Sequence, residues 1–397
     1  MCKTAGNSSR AARMLFMLAI VWGLFQLLFP AGFGFGAGWE TIAIARELVR
    51  DGVYGNPFHA GASGPTAVIA PFYPLYLAGL MKLLGYTPAF AMTASIAAIL
   101  AQAFHAALLP RLSLMFFGEI RAGIFAGLLS VFALRLMPQW DATFTACGIL
   151  LFLLHASPAT WRTTVTGGMG AGLLLLTNPA SILITGSWMA YLCLQRRSSL
   201  FRIAGFGAAV FLTALPWMVR NYSTLGTFSV KDNFGMTVYA SNNDCASSSL
   251  AASSASKCYD GKHPNSSAIE LGILKQLGEA RHNGVRVRDT VLWVRSHPEA
   301  FVRLTTLRVL DFWFPPLGEP RYPTFVIWAA TALSVPGLFL LFYRSIPVSW
   351  YVVAVAMSYP LLYYIVVSDV RYRYPLLWIS LLCAGYCLSW ISKWRRC

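Results

Sequence analysis

Acidic residues are rare in this chain, and their positions give the first indication of chemistry. Only 15 of the 397 residues are Asp or Glu, against 31 Lys and Arg. Nine of the acids, from Asp232 to Glu319, belong to one long polar segment, where most are expected to be solvated. The others lie near the ends of apolar runs: Glu40, Glu47, Asp51, Glu119, Asp141 and Asp369. A carboxylate at such a position can serve as a general base, a proton relay or a cation ligand.

Glu40 and Asp141 are the strongest candidates for this chemistry. Each begins a helical pattern, Glu40 after a Gly-rich passage and Asp141 after a Met-Pro-Gln-Trp turn, so each could be a plain N-terminal helix acid. Two carboxylates facing one cavity suit general-base work on a hydroxyl, because one takes the proton while the other orients it or shifts its pKa. They also suit the proton or cation site of a transporter. Glu47 and Asp51 share a helix face with Glu40 and are expected to be solvated.

The elements that position these residues are predicted to be membrane helices. The composition is 57% hydrophobic and 12% charged, and apolar runs recur along the chain, which indicates an all-α polytopic membrane protein. The net charge is +16, and Lys and Arg cluster in the connections between these apolar runs. Positive charge at such positions sets the orientation of a membrane protein, so it does not favour nucleic-acid binding. Ten spans are predicted at about 14–30, 88–109, 120–137, 143–157, 164–177, 180–194, 204–219, 323–343, 348–367 and 375–391.

The basic pieces place the N-terminus on the cytoplasmic side, with the first span as a retained signal-anchor. An N-terminal membrane module, 1–219, then contains a first extracytoplasmic loop at 31–87. A second extracytoplasmic loop, 220–322, precedes the C-terminal membrane helices at 323–397.

Both outer loops are expected to contain helices. Pro71 to Gly85 is predicted to be an interfacial helix, because counting it as a span would move the basic residues 111–121 outside. In the second loop, the apolar spacing from Ala268 to Phe312 predicts two amphipathic helices on the membrane, with breaks at Gly284 and at His297-Pro298.

Cysteine and histidine positions suggest a disulfide and no zinc site. Cys245 and Cys258 flank a polar Ala/Ser-rich segment of the second loop, so a disulfide between them is plausible in an oxidising compartment. His59, His263 and His297 match no zinc-ligand spacing and are expected to be loop or packing residues. A divalent cation held by Glu40 and Asp141 is compatible with the sequence but not required by it.

Several short motifs occur in an order that is typical of one enzyme group. They are Gly-Trp-Glu ending at Glu40, Gly-Pro-Thr-Ala at 64–67, Pro-Phe-Tyr-Pro at 71–74, Trp140-Asp141, Pro-Trp-Met-Val-Arg-Asn-Tyr at 216–222, His297-Pro298 and Arg-Tyr-Arg-Tyr-Pro at 371–375. In this order and topology the chain resembles bacterial membrane glycosyltransferases of the type C (GT-C) fold. The resemblance is to the dolichyl-phosphate-mannose-protein mannosyltransferase and aminoarabinose transferase group.

The resemblance implies a polyprenyl-phosphate-linked sugar as donor and a catalytic base in the first outer loop. Carried over, the base is Glu40, and Asp141 matches an acid often found in the second outer loop. The family's first acid is usually Asp, so the longer Glu40 side chain is a departure. The implied activity is inverting transfer to an acceptor hydroxyl or amine at the extracytoplasmic face of a bacterial inner membrane. The sugar, the acceptor and the lipid length are not implied.

The leaving phosphate of such a reaction needs cations more than a general acid. Arg371 and Arg373 are predicted to bind it with bidentate geometry. Arg220 ends a span on the outer side, against the positive-inside trend, and is predicted to pair with a phosphate or carboxylate.

Two other classes of function fit the same residues. In a lipid-linked sugar flippase or a proton-coupled transporter, the acids would bind protons or cations. In a non-catalytic lipid-binding subunit, the fold would be kept without turnover.

Overall fold

The computed structural model describes residues 2–28, 39–156, 160–195, 199–318 and 321–394. These residues form helices without any strand. In the first half the helices are α1 (Cys2–Gln26), α2 (Glu40–Asp51), α3 (Phe72–Leu84), α4 (Pro88–Phe117), α5 (Ile120–Ala133), α6 (Ala142–His155), α7 (Trp161–Thr177), α8 (Ser181–Leu194) and α9 (Leu200–Leu225).

In the second half the helices are α10 (Phe234–Ser241), α11 (Leu250–Ala255), α12 (Cys258–Lys262), α13 (Ala268–Leu277), α14 (Glu279–Ser296), α15 (Pro298–Trp313), α16 (Tyr322–Tyr343), α17 (Ser349–Ser358), α18 (Leu361–Tyr364) and α19 (Leu377–Trp394). A short 3₁₀ helix, Val370–Leu376, leads directly into α19. The Gly-rich passage before Trp39 lies outside the described residues.

The protein is an integral membrane protein. Within the described ranges, four helical segments are long and apolar enough to cross a membrane: α4, α9, α16 and Val370–Lys393. The shorter apolar helices include α5, α6 and α8, each of 14 residues. At about 1.5 Å per residue, such a helix is shorter than a hydrocarbon core of about 30 Å. The predicted all-helical, polytopic class is confirmed, whereas the predicted number of ten crossings is not determined by helix length.

Close helix packing holds the membrane core together. A Cβ atom on Gly337 of α16 would lie 1.9 Å from the carbonyl oxygen of Cys383 in α19. One on Gly385 would lie 2.1 Å from the carbonyl oxygen of Ala122 in α5. Glycines therefore allow the backbone of α19 to contact the backbones of both neighbouring helices. Such close contacts are common in membranes, because the hydrophobic effect does not drive helices together in lipid.

Helices α2 and α3 form a pair that packs on the start of α4. Ile42, Tyr73, Leu77 and Phe90 are buried in their common apolar cluster. The piece predicted as an interfacial helix is thus helical, and its position at the membrane surface stays a prediction.

Of the two α2 acids predicted to be solvated, only Asp51 is exposed. Glu47 is only 9% exposed. Its carboxylate accepts hydrogen bonds from Arg50 Nη2 at 2.7 Å and from Asn56 Nδ2 at 2.5 Å. The prediction failed for Glu47 because the chain after α2 returns over this face of the helix.

The part of the chain between α9 and α16 contains more helices than the apolar spacing predicts. The break at His297-Pro298 is present, but Gly284 lies inside α14 and the preceding break is at Gly278. Gly278 has φ of +77°, a conformation that ends α13 and that glycine adopts without steric cost. Arg286 then holds α14 against α13, because its Nε donates to Glu270 Oε2 at 3.0 Å and its Nη2 donates to Oε1 at 2.8 Å.

Cys245 and Cys258 are joined by a disulfide, with their Cα atoms 5.7 Å apart. The bond ties the segment after α10 to the first residue of α12.

Candidate active site

One polar cavity brings several segments together that are distant in sequence. Its volume is ≈ 210 Å³, and its walls come from the start of α2, the turn before α6, residues 231–237, α12 and the start of the 3₁₀ helix. The charged side chains that line it are Glu40, Asp141, Lys231 and Arg371. Three of the five predicted catalytic and phosphate-binding residues therefore meet in one place, from distant parts of the sequence.

The first turn of α2 is fastened to the turn before α6. Thr41 Oγ1 donates a hydrogen bond to the carbonyl oxygen of Gln139 at 2.7 Å. The rings of Trp39 and Trp140 meet edge to face, with centroids 5.5 Å apart. Because Glu40 lies between the two α2 contacts, these contacts direct it towards the same cavity as Asp141.

Glu40 is partly exposed as a whole residue, and its carboxyl group is buried among the protein atoms around it. This burial raises its pKa above the ordinary value, while its own backbone N–H, Arg371 and Lys231 act in the opposite direction. A carboxylate with a raised pKa is a better proton acceptor near neutral pH than an ordinary glutamate.

The Asp141 carboxylate is held in place by neutral donors. Asp141 occupies the N-cap position of α6, but its side chain does not cap the helix. Oδ2 instead accepts hydrogen bonds from Thr145 Oγ1 at 3.0 Å and from Asn178 Nδ2 at 3.1 Å. This fixed carboxylate suits an orienting role beside Glu40.

Arg371 is positioned by Asp369 and Trp140. The backbone N–H of Arg371 donates to Asp369 Oδ1 at 3.0 Å, and Asp369 Oδ2 lies 3.6 Å from Arg371 Nε. The guanidinium carbon lies 3.7 Å from the centre of the Trp140 ring. A stacked guanidinium keeps its edge available for an anion, which suits a phosphate-binding role.

Lys231 is a cavity residue that the sequence analysis missed. Burial lowers the pKa of its ammonium group, and Asp141 and Glu40 partly offset this effect. The next residue, Asp232, donates its backbone N–H to the carbonyl oxygen of Ala67 at 2.8 Å, which anchors this segment to the first outer loop. No local signal singles out Lys231, because the predicted second loop, 220–322, contains many other Lys and Arg residues.

Stacked rings form another wall of the cavity. Tyr259 and His263 stack with centroids 5.1 Å apart, and Tyr363 stacks on Tyr372 at 4.7 Å. Burial lowers the pKa of His263 to about 4, so its imidazole is neutral at physiological pH. His263, predicted to be a loop or packing residue, thus also contributes to the cavity surface.

Arg373 does not line the cavity, unlike Arg371. Its side chain is buried and donates to the carbonyl oxygens of Phe312 and Trp313, and to Ser380 Oγ at 3.1 Å. These bonds tie the end of α15 to α19. Arg373 is therefore no longer a candidate phosphate ligand, because its side chain is buried outside the cavity and both of its Nη groups donate to backbone or hydroxyl oxygens.

Arg220 also lies outside the cavity. Nη1 donates to the carbonyl oxygen of Thr66 at 2.7 Å, and Nη2 donates to that of Tyr54 at 2.9 Å. The guanidinium packs over the Trp217 ring, 4.9 Å from its centre. Arg220 thus anchors the segment between α2 and α3 to α9, and it is corrected from a donor-phosphate ligand to a structural residue.

The donor set of the cavity does not match a resident divalent cation. Within the described ranges, no group of three or more His, Cys, Asp or Glu side chains could hold a metal ion. Glu40 and Asp141 share their cavity with Lys231 and Arg371, whose charges balance theirs. Calcium prefers six to eight oxygen ligands, and magnesium a near-ideal octahedron.

An apolar groove starts beside the polar cavity. The groove, of ≈ 680 Å³, lies between α3, α6 and α7, and Thr177 lines both it and the cavity. From Thr177 it runs along α7 to Thr166 and along α6 to His155. We call this the α3–α6–α7 groove; its walls include Phe72, Tyr76, Phe144, Leu151, Gly170 and Leu173.

The whole fold is similar to that of a solved membrane enzyme. The oligosaccharyltransferase of Archaeoglobus fulgidus, in complex with zinc and sulfate, aligns with a TM-score of 0.58 and 14% sequence identity, over 96% of this chain and 49% of that chain. A structure of this enzyme, AglB, with an inhibitory peptide and a dolichol-phosphate gives a TM-score of 0.57 at 16% identity, over 96% and 50%. The chain has the type C glycosyltransferase fold.

The GT-C fold predicted from the motif order is thus confirmed. The chain spans about half the length of the oligosaccharyltransferase. ArnT of Cupriavidus metallidurans, bound to undecaprenyl phosphate, aligns over 93% of this chain and 77% of that chain, at 16% identity and a lower TM-score of 0.42. No family model matches the sequence, and no curated protein matches it.

Proposed function

We propose that the protein is an inverting glycosyltransferase that takes a sugar from a polyprenyl-phosphate-linked donor. The observation that carries this proposal is the cavity that combines Glu40 and Asp141 with Lys231 and Arg371. A base beside two cations fits a reaction that deprotonates one substrate and releases an anionic phosphate from the other. The fold, which AglB solved with a dolichol-phosphate shares, supports the same chemistry.

In the proposed reaction, Glu40 accepts the proton of an acceptor hydroxyl or amine. The acceptor atom attacks the anomeric carbon of the donor sugar on the face opposite the phosphate. The bond between this carbon and the phosphate oxygen breaks, and its electron pair leaves with the phosphate. Configuration at the anomeric carbon is therefore inverted. Asp141, which neutral donors hold in place, orients the acceptor.

Lys231 and Arg371 bind the phosphate as its negative charge increases. Charge-assisted hydrogen bonds from two cations stabilise this leaving group without a general acid. The guanidinium supplies a planar pair of donors, and the ammonium supplies a compact point charge. Lys231 and Arg371 are distant in sequence, so the phosphate site forms only when the segments that carry them pack together correctly.

The α3–α6–α7 groove supplies a place for the isoprenoid chain of the donor. It is apolar along its length and joins the polar cavity at Thr177, so the lipid would lie along α6 and α7 while its phosphate reaches Arg371. With the cavity on the extracytoplasmic side of a bacterial inner membrane, the donor would enter sideways from the outer leaflet. A glycan, a lipid or a protein could then supply the acceptor group.

The role of Glu40 is tested by Glu40→Gln. Loss of the base is expected to slow sugar transfer in a single turnover by about 10²- to 10⁴-fold, the usual contribution of general-base catalysis. The rate is measured in membranes containing purified protein and polyprenyl-phosphate sugars labelled in the sugar.

Glu47→Gln is the matched control, because Glu47 belongs to the same helix but does not line the cavity. This variant should transfer sugar at close to the wild-type rate. A Glu40→Gln protein that is folded and transfers sugar as fast as Glu47→Gln would disprove the assignment.

A further inference from the structure

A second large groove lies between α1 and α4, and the proposed reaction does not use it. Its volume is ≈ 820 Å³, and we call it the α1–α4 groove. Its floor and walls are mostly apolar, with Phe16, Met17, Phe104, Leu108 and Met115 among them. Its polar lining consists of Ser9, Arg13 and Arg111.

The two arginines bring uncompensated positive charge to this apolar surface. Arg13 and Arg111 are exposed, and no acidic side chain among the described residues forms an ion pair with either. Glu119, an acid close to Arg111 in sequence, instead pairs with Lys393 at 2.9 Å. The groove is therefore complementary to a ligand with both an anionic group and long apolar chains.

The groove lies towards the opposite end of α1 and α4 from the polar cavity. Ile20 of α1 and Ile99 of α4 pack on Leu136, in the connection that leads to Asp141. Arg13 and Arg111 are further along these helices, by about 10 and 18 Å at 1.5 Å per residue. Basic residues at this end are expected on the cytoplasmic side, where anionic lipids attract them.

We propose that the α1–α4 groove binds an anionic phospholipid of the cytoplasmic leaflet. Arg13 and Arg111 hold the headgroup phosphate. The acyl chains lie along the apolar lining of the groove, which includes Phe16 and Phe104. The rings of these two residues pack edge to face, 5.1 Å apart, and make a continuous floor. This site is separate from the donor site, since the two cavities share no lining residue.

Native mass spectrometry of the full chain in detergent tests the site, with dioleoyl-phosphatidylglycerol and dioleoyl-phosphatidylcholine as probes. The wild type should bind the first lipid more tightly. The Arg13→Gln/Arg111→Gln double variant should lose about 30-fold in affinity for it, as expected from two cations near a lipid phosphate. Ala12→Trp, which fills the groove without changing the charge, should also weaken binding.

Arg10→Gln/Arg121→Gln is the matched control, because it removes the same charge from exposed arginines that do not line the groove. This variant should bind phosphatidylglycerol like the wild type, and inorganic phosphate should not displace the lipid. Equal affinity of the wild type for both lipids would overturn the proposal. Equal loss in the two double variants, or displacement by free phosphate, would overturn it as well.

Discussion

The pKa values of two cavity residues, Glu40 and Lys231, are shifted in opposite directions by burial. Burial raises the pKa of Glu40 above 4.5 and lowers the pKa of Lys231 below 10.5. The proposed active form has Glu40 ionised, so that it can accept a proton, and Lys231 charged, so that it can bind phosphate. Both shifts narrow the pH range in which this form is populated.

Sugar transfer should therefore have a bell-shaped pH dependence. As the pH rises, activity is expected to increase when Glu40 loses its proton, at a pH above 4.5. At still higher pH, activity is expected to decrease when Lys231 loses its proton, because its pKa is lower than 10.5. Lys231→Arg should remove the basic limb, because a guanidinium stays charged throughout this range. The measurement is the pH profile of kcat/KM for both proteins.

Arg281→Lys is a suitable control, because Arg281 is exposed and lies outside the cavity. Its profile should match that of the wild type. A basic limb that persists unchanged in active Lys231→Arg protein would assign that limb to another group.

The sequence could select Glu40, Asp141 and Arg371 as candidates, because each lies either as a rare acid beside an apolar run or in a motif of the resemblance, and the three line one cavity. It could not rank Arg371 above Arg373, two residues later. The Arg373 side chain turns into the core, where it meets the carbonyl oxygen of Phe312 from a distant helix. Such a contact depends on tertiary packing and leaves no local pattern.

Among the structural elements, α14 has a direct connection to the cavity wall. Glu279, at its first position, accepts hydrogen bonds from Thr66 Oγ1 at 2.6 Å and from the Ala67 backbone N–H at 2.7 Å. The Ala67 carbonyl oxygen in turn accepts from Asp232, next to Lys231. The contact of Glu279 with residues 66–67 therefore positions the segment that carries Lys231.

Glu279 should make the stability of this connection depend on pH. Burial raises its pKa from 4.5 to about 7. The folded state then binds the Glu279 proton more tightly than the unfolded state, so stability is full below pH 4.5 and is lost as the pH rises to about 7. The loss is about 3 kcal/mol in unfolding free energy by proton linkage. Tryptophan fluorescence during thermal unfolding in detergent measures this trend.

Glu279→Gln should flatten the pH dependence of the melting temperature over this interval, because its amide does not titrate. Glu299→Gln, at an exposed position of α15, should keep the wild-type slope. An unchanged slope in Glu279→Gln would show that Glu279 titrates with an ordinary pKa.

Helix positions between α9 and α16 were only partly predictable. Proline at 298 sets a clear boundary, since it cannot continue a preceding helix. Glycine is ambiguous, because Gly278 has positive φ and ends a helix, whereas Gly284 lies within α14. The choice between them follows from the contact of Arg286 with Glu270, which needs both helices in place.

For the molecule as a whole, hydropathy and motif order were sufficient to predict the fold class. They were not sufficient to count crossings, because helices such as α5 and α6 have 14 residues and are partly surrounded by other helices. Nor could they predict the two grooves, which form where α1 meets α4 and where α3 meets α6 and α7. Each groove needs side chains from helices that are distant in sequence.

The most direct test of the central claim is mass spectrometry of the lipid that co-purifies with Glu40→Gln protein. A transferase that binds its donor but cannot activate the acceptor should retain intact polyprenyl-phosphate sugar, while the wild type should retain mainly polyprenyl phosphate. A transporter would carry the same unchanged lipid in both proteins. Equal amounts of intact polyprenyl-phosphate sugar in both, or its absence from Glu40→Gln, would contradict the account.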